Sequence, residues 1–289
     1  MNKTSIDKEF VKYFEGRPNI YIIFILKSLT LLKPDGLLSF ILPRNFLTCS
    51  YYDKTRQYIE DKFTILTIQS CQDKYLETQQ KTILLVVQNR KSKPSKFSLT
   101  IGNHFILGLP TELKKLKQIL ENSTTLQKLN FDVGVGNVVW NQYKEPEKSK
   151  YKHKHSLTND ASQTRIIYSS DIKNGELIFS KFREGSERTH YIDKPGTQEL
   201  QLLVNRGYGN GKYSFDFCLM DVNFDYLVEN HLIYIKCSED IDSTLLKEKY
   251  KKIMKSLKDP RTEKFVSLYF GNNAINTVEL AEILPIYGF

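Results

Sequence analysis

Apolar runs and amphipathic segments alternate along the first 90 residues of the chain. The segment Asn19–Lys33 carries apolar residues around almost its whole circumference, which predicts a buried helix. After the turn KPDG, the continuous apolar run Leu37–Leu42 ends at Pro43 and is typical of a central parallel strand covered on both faces. An amphipathic helix and two strands are predicted next, over residues 50–62, 63–68 and 82–87. This alternation predicts half of an α/β sheet.

The pattern changes at Asn89–Lys96, a polar stretch with a proline that is typical of a linker. Beyond it, short apolar runs predict strands over residues 131–139, 165–168, 202–205 and 231–236. Helical periodicity predicts helices over residues 111–122, 247–258 and 262–269. We therefore expect two domains, residues 1–92 and residues 93–289, the second of α+β type.

The charge balance favours a polyanionic partner. The net charge is +9, and the chain contains 17 Tyr and 17 Phe. Cationic side chains neutralise phosphates and aromatic rings stack on bases, so this composition suits a nucleic acid. A coding bias toward Lys, Tyr and Phe would explain the same composition equally well.

The cysteines, histidines and apolar runs favour a cytoplasmic protein with no metal and no membrane span. The four cysteines are scattered, with neither a C-x-x-C pair nor a Cys/His cluster at metal-binding spacing. Such cysteines are typical of reduced thiols, and His231, beside an apolar run, is interpreted as structural. The longest apolar stretch, Ile20–Leu32, contains Lys27 and is too short to cross a bilayer.

Three segments in order carry a family resemblance. They are NIYIIFILKSLTLLKPDG, LLSFILPRNFLTCSYYDKTRQYI and YLETQQKTILLVV, which begin at residues 19, 37 and 75. Together they resemble the later part of the DNA amino-methyltransferases, in particular the Taq-like (gamma-type) enzymes that methylate adenine N6. The resemblance implies the C-terminal half of a Rossmann-like sheet, S-adenosylmethionine as the methyl donor and double-stranded DNA as the partner. It also implies a target adenine flipped out of the duplex.

The same resemblance assigns residues in this first part of the chain. Tyr75 matches the aromatic that stacks on the flipped adenine, although an ordinary loop tyrosine is the alternative. Asn19 and Tyr21 are expected either to line the donor pocket or to cap and pack their helix. Pro43 matches the donor side of the strand end, and Arg44 and Asn45 follow it as candidates for the DNA rim, because ligands bind where parallel strands end.

The rest of the chain resembles the target-recognition region of these enzymes. Its matching blocks span residues 131–144, 165–172, 202–217, 229–235 and 259–287. Amides pair with adenine edges and cations with guanine edges or phosphates, which makes several side chains candidates for DNA contact. They are Trp140, Asn141, Gln142, Lys144, Asn205, Arg206, Tyr208, Asn210 and Lys212. The alternatives are a core Trp140 beside a glycine bulge at Gly134 and Gly136, and a flexible hairpin over NRGYGNGKY.

Two hallmarks of the family are missing from this sequence. It contains no NPPY-type tetrapeptide and no early glycine-rich donor turn, and both would precede the match at Asn19. We therefore expect an N-terminal methyltransferase polypeptide to complete the sheet, a bare apolar edge on Leu37–Leu42, and no catalysis by this chain alone. The alternatives are a non-catalytic sequence-specific DNA-binding protein, a decayed remnant of a split gene, or an unrelated α/β protein.

Overall fold

The computed structural model describes residues 9–14, 19–72, 81–91, 95–143, 154–205, 216–270 and 275–289. The chain forms two compact units. Unit 1 comprises Met1–Glu121 and Lys264–Asn273, and unit 2 comprises Asn122–Glu263 and Ala274–Phe289. The functional assignment of residues 1–92 and 93–289 remains a prediction, whereas the compact units divide at Glu121.

Besides most of the helix Pro260–Tyr269, the described part of unit 1 holds three helices, a three-stranded sheet and a hairpin. The helices are α1 (Ile20–Thr30), α2 (Asp53–Lys62) and α3 (Pro110–Leu120). The sheet strands are β1 (Leu37–Pro43), β2 (Thr64–Ser70) and β3 (Thr82–Gln88), and the hairpin strands are β4 (Ser98–Ile101) and β5 (His104–Leu107). These bounds confirm the helices and strands expected from the periodicity of the first 90 residues.

The sheet of unit 1 corrects the expectation for the first strand. The strand order is β1-β3-β2, and β3 pairs antiparallel with both neighbours. Because β1 and β2 both run opposite to β3, they are parallel to each other but lie at the two edges of the described sheet. The expected parallel pairing of β1 is therefore wrong. Among the described residues β1 pairs through one edge only, in agreement with the expected bare edge on Leu37–Leu42.

Burial also corrects the expectation that α1 and β1 are covered all round. Ile22, Ile25, Leu26 and Leu29 of α1 are buried in the core of unit 1. The opposite stripe is open, and Phe24 is 65% exposed. On β1, Leu42 is buried whereas Ile41 is 60% exposed. A continuous apolar run has the same sequence pattern whether one or both faces of the element are covered. The exposed faces of α1 and β1 could therefore not be predicted from periodicity.

Arg56 connects several segments of unit 1. Its guanidinium is completely buried, and it donates to the backbone carbonyls of Phe46, Cys49 and Phe105 at 2.8–2.9 Å. It also pairs with Asp53, whose other carboxylate oxygen lies 2.8 Å from Nδ1 of His104. This network fastens the β1–α2 connection and the β4–β5 hairpin to the start of α2.

The described part of unit 2 is built on two four-stranded sheets. One has the order β13-β12-β15-β6 and the other β14-β8-β11-β7. The strands of the first sheet are β6 (Phe131–Val135), β12 (Gln201–Asn205), β13 (Phe217–Met220) and β15 (Leu232–Cys237). Those of the second are β7 (Leu157–Thr158), β8 (Thr164–Ile167), β11 (Tyr191–Ile192) and β14 (Tyr226–Val228). Apart from the parallel pair β8–β14, the pairings are antiparallel.

Small elements and helices complete the fold. A hairpin of unit 2 joins β9 (Ile172–Lys173) to β10 (Glu176–Leu177). The helices are α4 (Trp140–Tyr143), α5 (Ser243–Leu257), α6 (Pro260–Tyr269) and α7 (Thr277–Glu282). The strands and helices expected after residue 110 are thus present, with ends shifted by a few residues. In the described ranges, every helix is too short or too polar to cross a membrane.

Candidate nucleic-acid interface

The end of β1 carries three of the residues expected at a binding rim. Pro43 closes the strand, and Arg44 and Asn45 begin the turn that follows. Both carboxylate oxygens of Glu112 accept from Nη2 of Arg44 at 2.8 Å, so this cation is already neutralised within unit 1. The side-chain oxygen of Asn45 is buried with no hydrogen-bond partner among the described residues. DNA contact by Arg44 and Asn45 remains a prediction.

The cavity beside Arg44 and Asn45 is small. Its volume is about 60 Å³, and its wall includes Lys81, Glu112 and Tyr269 as well as the two rim residues. Ligand clefts begin at about 300 Å³, so this space accommodates water rather than a cofactor. The rim of β1 therefore offers a surface for contact, not a ligand pocket.

The residues predicted to bind the donor are engaged in local structure. The Asn19 side chain caps α1 by accepting from the backbone N–H of Tyr21 at 3.2 Å. The Tyr21 ring packs edge-on against Tyr52, with ring centroids 5.5 Å apart, and burial raises the pKa of its hydroxyl. Pro43 has no side-chain donor or acceptor. These residues do not make a donor pocket by themselves, so their cofactor role stays a prediction that needs further residues.

Several predicted contact residues lie outside the described residues. They are the stacking candidate Tyr75 and the DNA candidates Lys144, Arg206, Tyr208, Asn210 and Lys212. Asn205 is described at the end of β12, where its backbone N–H donates to the carbonyl of Asp216 at 2.8 Å. Its side-chain oxygen is buried and lacks a hydrogen-bond partner among the described residues.

The first recognition block of unit 2 ends in the one-turn helix α4. Asn141 is exposed and Gln142 half-buried, so both side chains are open to contact. Trp140 packs against the cluster that contains Val138 and Tyr168, and the guanidinium of Arg188 lies 5.1 Å from its ring centroid. The packing of Trp140 supports the core alternative for this residue, while DNA contact by Asn141 and Gln142 remains a prediction.

Gly136 in the same block permits a close approach of two backbone segments. A Cβ atom added there would lie 2.2 Å from the carbonyl oxygen of Glu229 and 2.5 Å from that of Val228. Only glycine fits such a contact without movement of the backbone. Glu229 also accepts from Nδ1 of His231 at 2.6 Å, which agrees with the structural interpretation of that histidine.

Sequence reasoning missed a polar and aromatic cavity of unit 2. It surrounds Arg165 on β8, has a volume of about 690 Å³, and includes the rings of Phe179, Tyr191 and Phe224 in its wall. The Arg165 guanidinium lies 4.0 Å from the ring centroid of Phe179 and 5.1 Å from that of Tyr191. The sequence signal was Arg165 itself, a cation at the start of the apolar run RIIY. The aromatic rings of the cavity come from other segments of the chain, so their position beside Arg165 could not be predicted.

His190 completes the polar contacts of Arg165. Nη1 of Arg165 donates to the Tyr191 hydroxyl at 3.2 Å, and Nη2 lies 3.2 Å from Nδ1 of His190. An arginine can only donate, so this imidazole nitrogen is an acceptor and the ring is neutral. Burial, and secondarily the charge of Arg165, lowers the pKa of His190 below 6.5. Its other neighbour is Phe182, stacked at 4.1 Å between ring centroids.

The cysteines and acidic residues show no metal centre in the described ranges. No group of three or more His, Cys, Asp or Glu side chains there is arranged to hold a metal ion. The four cysteines, Cys49, Cys71, Cys218 and Cys237, form no disulfide. Burial raises the pKa of Cys218 to about 11, so this thiol is protonated at neutral pH.

Comparison with known proteins finds similarity to methyltransferases. The family model described as Eco57I restriction-modification methylase matches residues 1–76. A type II methyltransferase, M.CvrRI of Paramecium bursaria Chlorella virus XZ-6E, is 26% identical over 281 residues. The match covers 94% of this chain but 65% of that protein, so the chain spans about two thirds of the length of its curated relative.

A solved structure is also similar at a low level. It is that of the type IIG restriction endonuclease BpuSI, with 9% identity and a TM-score of 0.35, and the match covers 96% of this chain and 43% of the other. The family model and the curated relative agree with the resemblance of the three ordered segments. The chain is thus similar to a restriction-modification methylase family over residues 1–76 and to a type II methyltransferase over most of its length.

Proposed function

We propose that this chain is the recognition part of a site-specific DNA adenine-N6 methyltransferase that uses S-adenosylmethionine. The observation that carries the proposal is the position of β1 at an edge of the described sheet, with Leu37 and Ile41 exposed, within the segment that matches the methylase family model. An N-terminal methyltransferase polypeptide completes the sheet there and holds most of the donor site. This chain contributes Tyr75 as the stacking residue for the flipped adenine, and unit 2 for the DNA target.

The surface around β1 fits a missing protein layer rather than water. Five large apolar side chains are exposed there at 60% or more, namely Ile20, Phe24, Leu31, Leu37 and Ile41. Exposed apolar surface of this kind is typical of an interaction site, and an unpaired strand edge offers backbone donors and acceptors to another strand. A polypeptide that adds a strand beside β1 and also covers these side chains satisfies both requirements together.

In this proposal the two polypeptides contribute different groups to the reaction. When bound, S-adenosylmethionine supplies the methyl group. The target amine is inaccessible inside a duplex, so the base must be extruded, and stacking on an aromatic ring offsets part of that cost. One base–aromatic stack contributes about 1–3 kcal/mol. Tyr75 provides this stack, and the amides and cations of unit 2 select the site where extrusion occurs.

The test is complementation with labelled donor. Purified chain is mixed with an N-terminal methyltransferase polypeptide that carries an NPPY-type motif. Methyl transfer to duplex DNA is then measured. We expect transfer from the mixture and none from either component, and we expect Tyr75→Ala to reduce transfer much more than Tyr75→Phe. A mixture that forms a complex but transfers no methyl group would contradict the enzymatic assignment.

A matched pair of surface variants tests the docking edge. Ile41 on β1 and Leu66 on β2 are exposed aliphatic residues, 60% and 44% accessible, on the two edge strands of one sheet. Ile41→Lys should abolish complementation because it places a charge on the covered edge, whereas Leu66→Lys should retain it. Equal effects of the two substitutions would remove the case for an added strand at β1.

The second candidate function is DNA binding without catalysis. It is favoured by unit 2, which has apolar cores of its own, around Leu203 and Ile167 and around Ile166 and Tyr168. On this view the chain alone binds duplex DNA with a steep decline in affinity as salt rises, since released counterions drive the binding. Addition of the N-terminal polypeptide then gives no methyl transfer, which separates this candidate from the first.

A further inference from the structure

The cavity around Arg165 has the volume and the lining of a small-molecule site. At about 690 Å³ it lies within the range of roughly 300–1,000 Å³ that is usual for ligand clefts. It opens where β8 and β14 begin and β11 ends, since its wall includes residues 161–165, 191, 193–195 and 224–225. The wall lies entirely within unit 2.

The rings of this cavity form a partly open stacking surface. Phe179 is 47% exposed, and its ring centroid lies 6.0 Å from that of Phe224. The guanidinium of Arg165 lies 4.0 Å from the Phe179 centroid. An exposed aromatic face beside a cation is costly to leave in water and is well suited to cover a planar ring.

Arg165 keeps hydrogen-bonding capacity for a ligand. It has five N–H donors, and the structure shows protein acceptors for Nη1 and Nη2, the Tyr191 hydroxyl and the His190 ring. No carboxylate lies within ion-pair distance of this guanidinium among the described residues. Its Nε is buried without a partner in those same ranges.

The charge of the lining argues against a phosphate and for an uncharged ligand. Arg165 and Lys194 are balanced by Asp193 and Asp225, and the other polar side chains are neutral: Ser162, Gln163, Thr164 and Gln198. A phosphate would meet two carboxylates, whereas a neutral heterocycle with both donors and acceptors can use every one of these groups. Nucleobases have this character, together with a π-face for the aromatic rings.

We infer that the Arg165 cavity binds an unstacked nucleobase, with Phe179 as the stacking surface and Arg165 as the donor to a ring carbonyl or nitrogen. The inference rests on the proposed function, in which unit 2 binds DNA, and adds a pocket for a base outside the methylation site. The base stacks on the rings at one wall, and the amides and carboxylates hydrogen-bond to its edge.

The test uses the four free deoxynucleosides and the full chain. Saturation-transfer NMR detects binding, and titrations give the dissociation constants of the wild type and of three variants. Phe179→Ala should weaken binding roughly five- to 150-fold, the effect of losing one base–aromatic stack. Arg165→Lys keeps the charge but loses the planar guanidinium. It should weaken the binding of bases that carry ring carbonyls most. Ile178→Ala, a neighbour that is 44% exposed and outside the cavity wall, should bind as the wild type does.

Three outcomes would overturn the inference: no saturable binding of any nucleoside, equal affinities of Phe179→Ala and wild type, or displacement of the nucleoside by inorganic phosphate. The experiment needs neither a partner polypeptide nor a methyl donor. Nucleoside binding without methyl transfer therefore leaves the inference in place and counts only against the proposed enzyme. Salt-sensitive duplex binding without nucleoside binding would count against the inference and leave the proposed DNA-binding role of unit 2 in place.

Discussion

Removal of Arg56 should unfold unit 1 selectively. Arg56→Ala takes away a fully buried guanidinium that donates to three backbone carbonyls and pairs with Asp53. Breaking a buried ion pair from one side costs about 3–5 kcal/mol, and each orphaned buried carbonyl adds about 1–3 kcal/mol unless water reaches it. Domains are stable by only about 5–15 kcal/mol, so the variant loses a large share of that stability or all of it.

The assay is hydrogen exchange resolved by peptide, combined with urea unfolding. We expect Arg56→Ala to lose protection in α2 and in the β4–β5 hairpin, while peptides from unit 2 stay protected. The stability of Arg56→Lys and its protection from hydrogen exchange should lie between those of Arg56→Ala and the wild type, because one ammonium retains the charge but cannot reach all the acceptors.

Arg44→Ala is the matched control. It also removes an arginine paired with a carboxylate in unit 1, but the Arg44 and Glu112 side chains are 21% and 26% exposed. Exposed pairs of this kind contribute up to about 1 kcal/mol. If Arg56→Ala cost no more than Arg44→Ala, the argument that the buried network fastens the β1–α2 connection would be refuted.

Three further predictions concern pH, a glycine and a helix cap. Because the pKa of His190 is lowered in the folded state, the unfolded chain takes up its proton first as pH falls, so unit 2 should be fully stable above about pH 6.5 and lose stability below it. Thermal melts across this range should show a smaller loss in His190→Gln. Gly136→Ala should cost roughly 1–3 kcal/mol in urea unfolding, because its Cβ would meet the backbone oxygen of Glu229 at 2.2 Å. Gly134→Ala should cost less, because its Cβ meets the far end of the Tyr234 side chain, and an equal cost would count against the backbone explanation. Asn19→Ala should cost about 1 kcal/mol by removing the cap of α1, and Asn19→Asp should restore it. A loss of methyl transfer in complemented Asn19→Asp, with stability restored, would instead favour a donor-binding role.

Local patterns in the sequence were enough to predict the elements. The apolar run over residues 82–87 predicted β3 (Thr82–Gln88), because a short run of this kind is a property of the local sequence. The periodicity of α5 and α6 likewise predicted both helices to within a few residues at their ends. The three ordered segments carried the family resemblance because they preserve residue order, which needs no knowledge of contacts.

Pairing and burial could not be predicted from the same patterns. The apolar run of β1 suits a central strand as well as an edge strand, and its partner β3 lies about 40 residues away. The pairing of Arg44 with Glu112 joins residues 68 positions apart, so the sequence showed a candidate DNA contact where the fold supplies a carboxylate. Contacts between residues that are distant along the chain do not change the hydrophobic periodicity of either segment, so periodicity cannot predict them.

The Arg165 cavity shows most clearly the difference between what local patterns predict and what long-range contacts determine. Its aromatic wall comes from Phe179, Tyr191 and Phe224, each on a different segment of unit 2. By itself the sequence determined that the chain as a whole is basic and aromatic. It also determined that the region of this cavity is composed of short strands, because strand patterns are local. Only the tertiary structure decided which rings surround the guanidinium and which edge of β1 stays bare, because both depend on contacts between residues far apart in the chain.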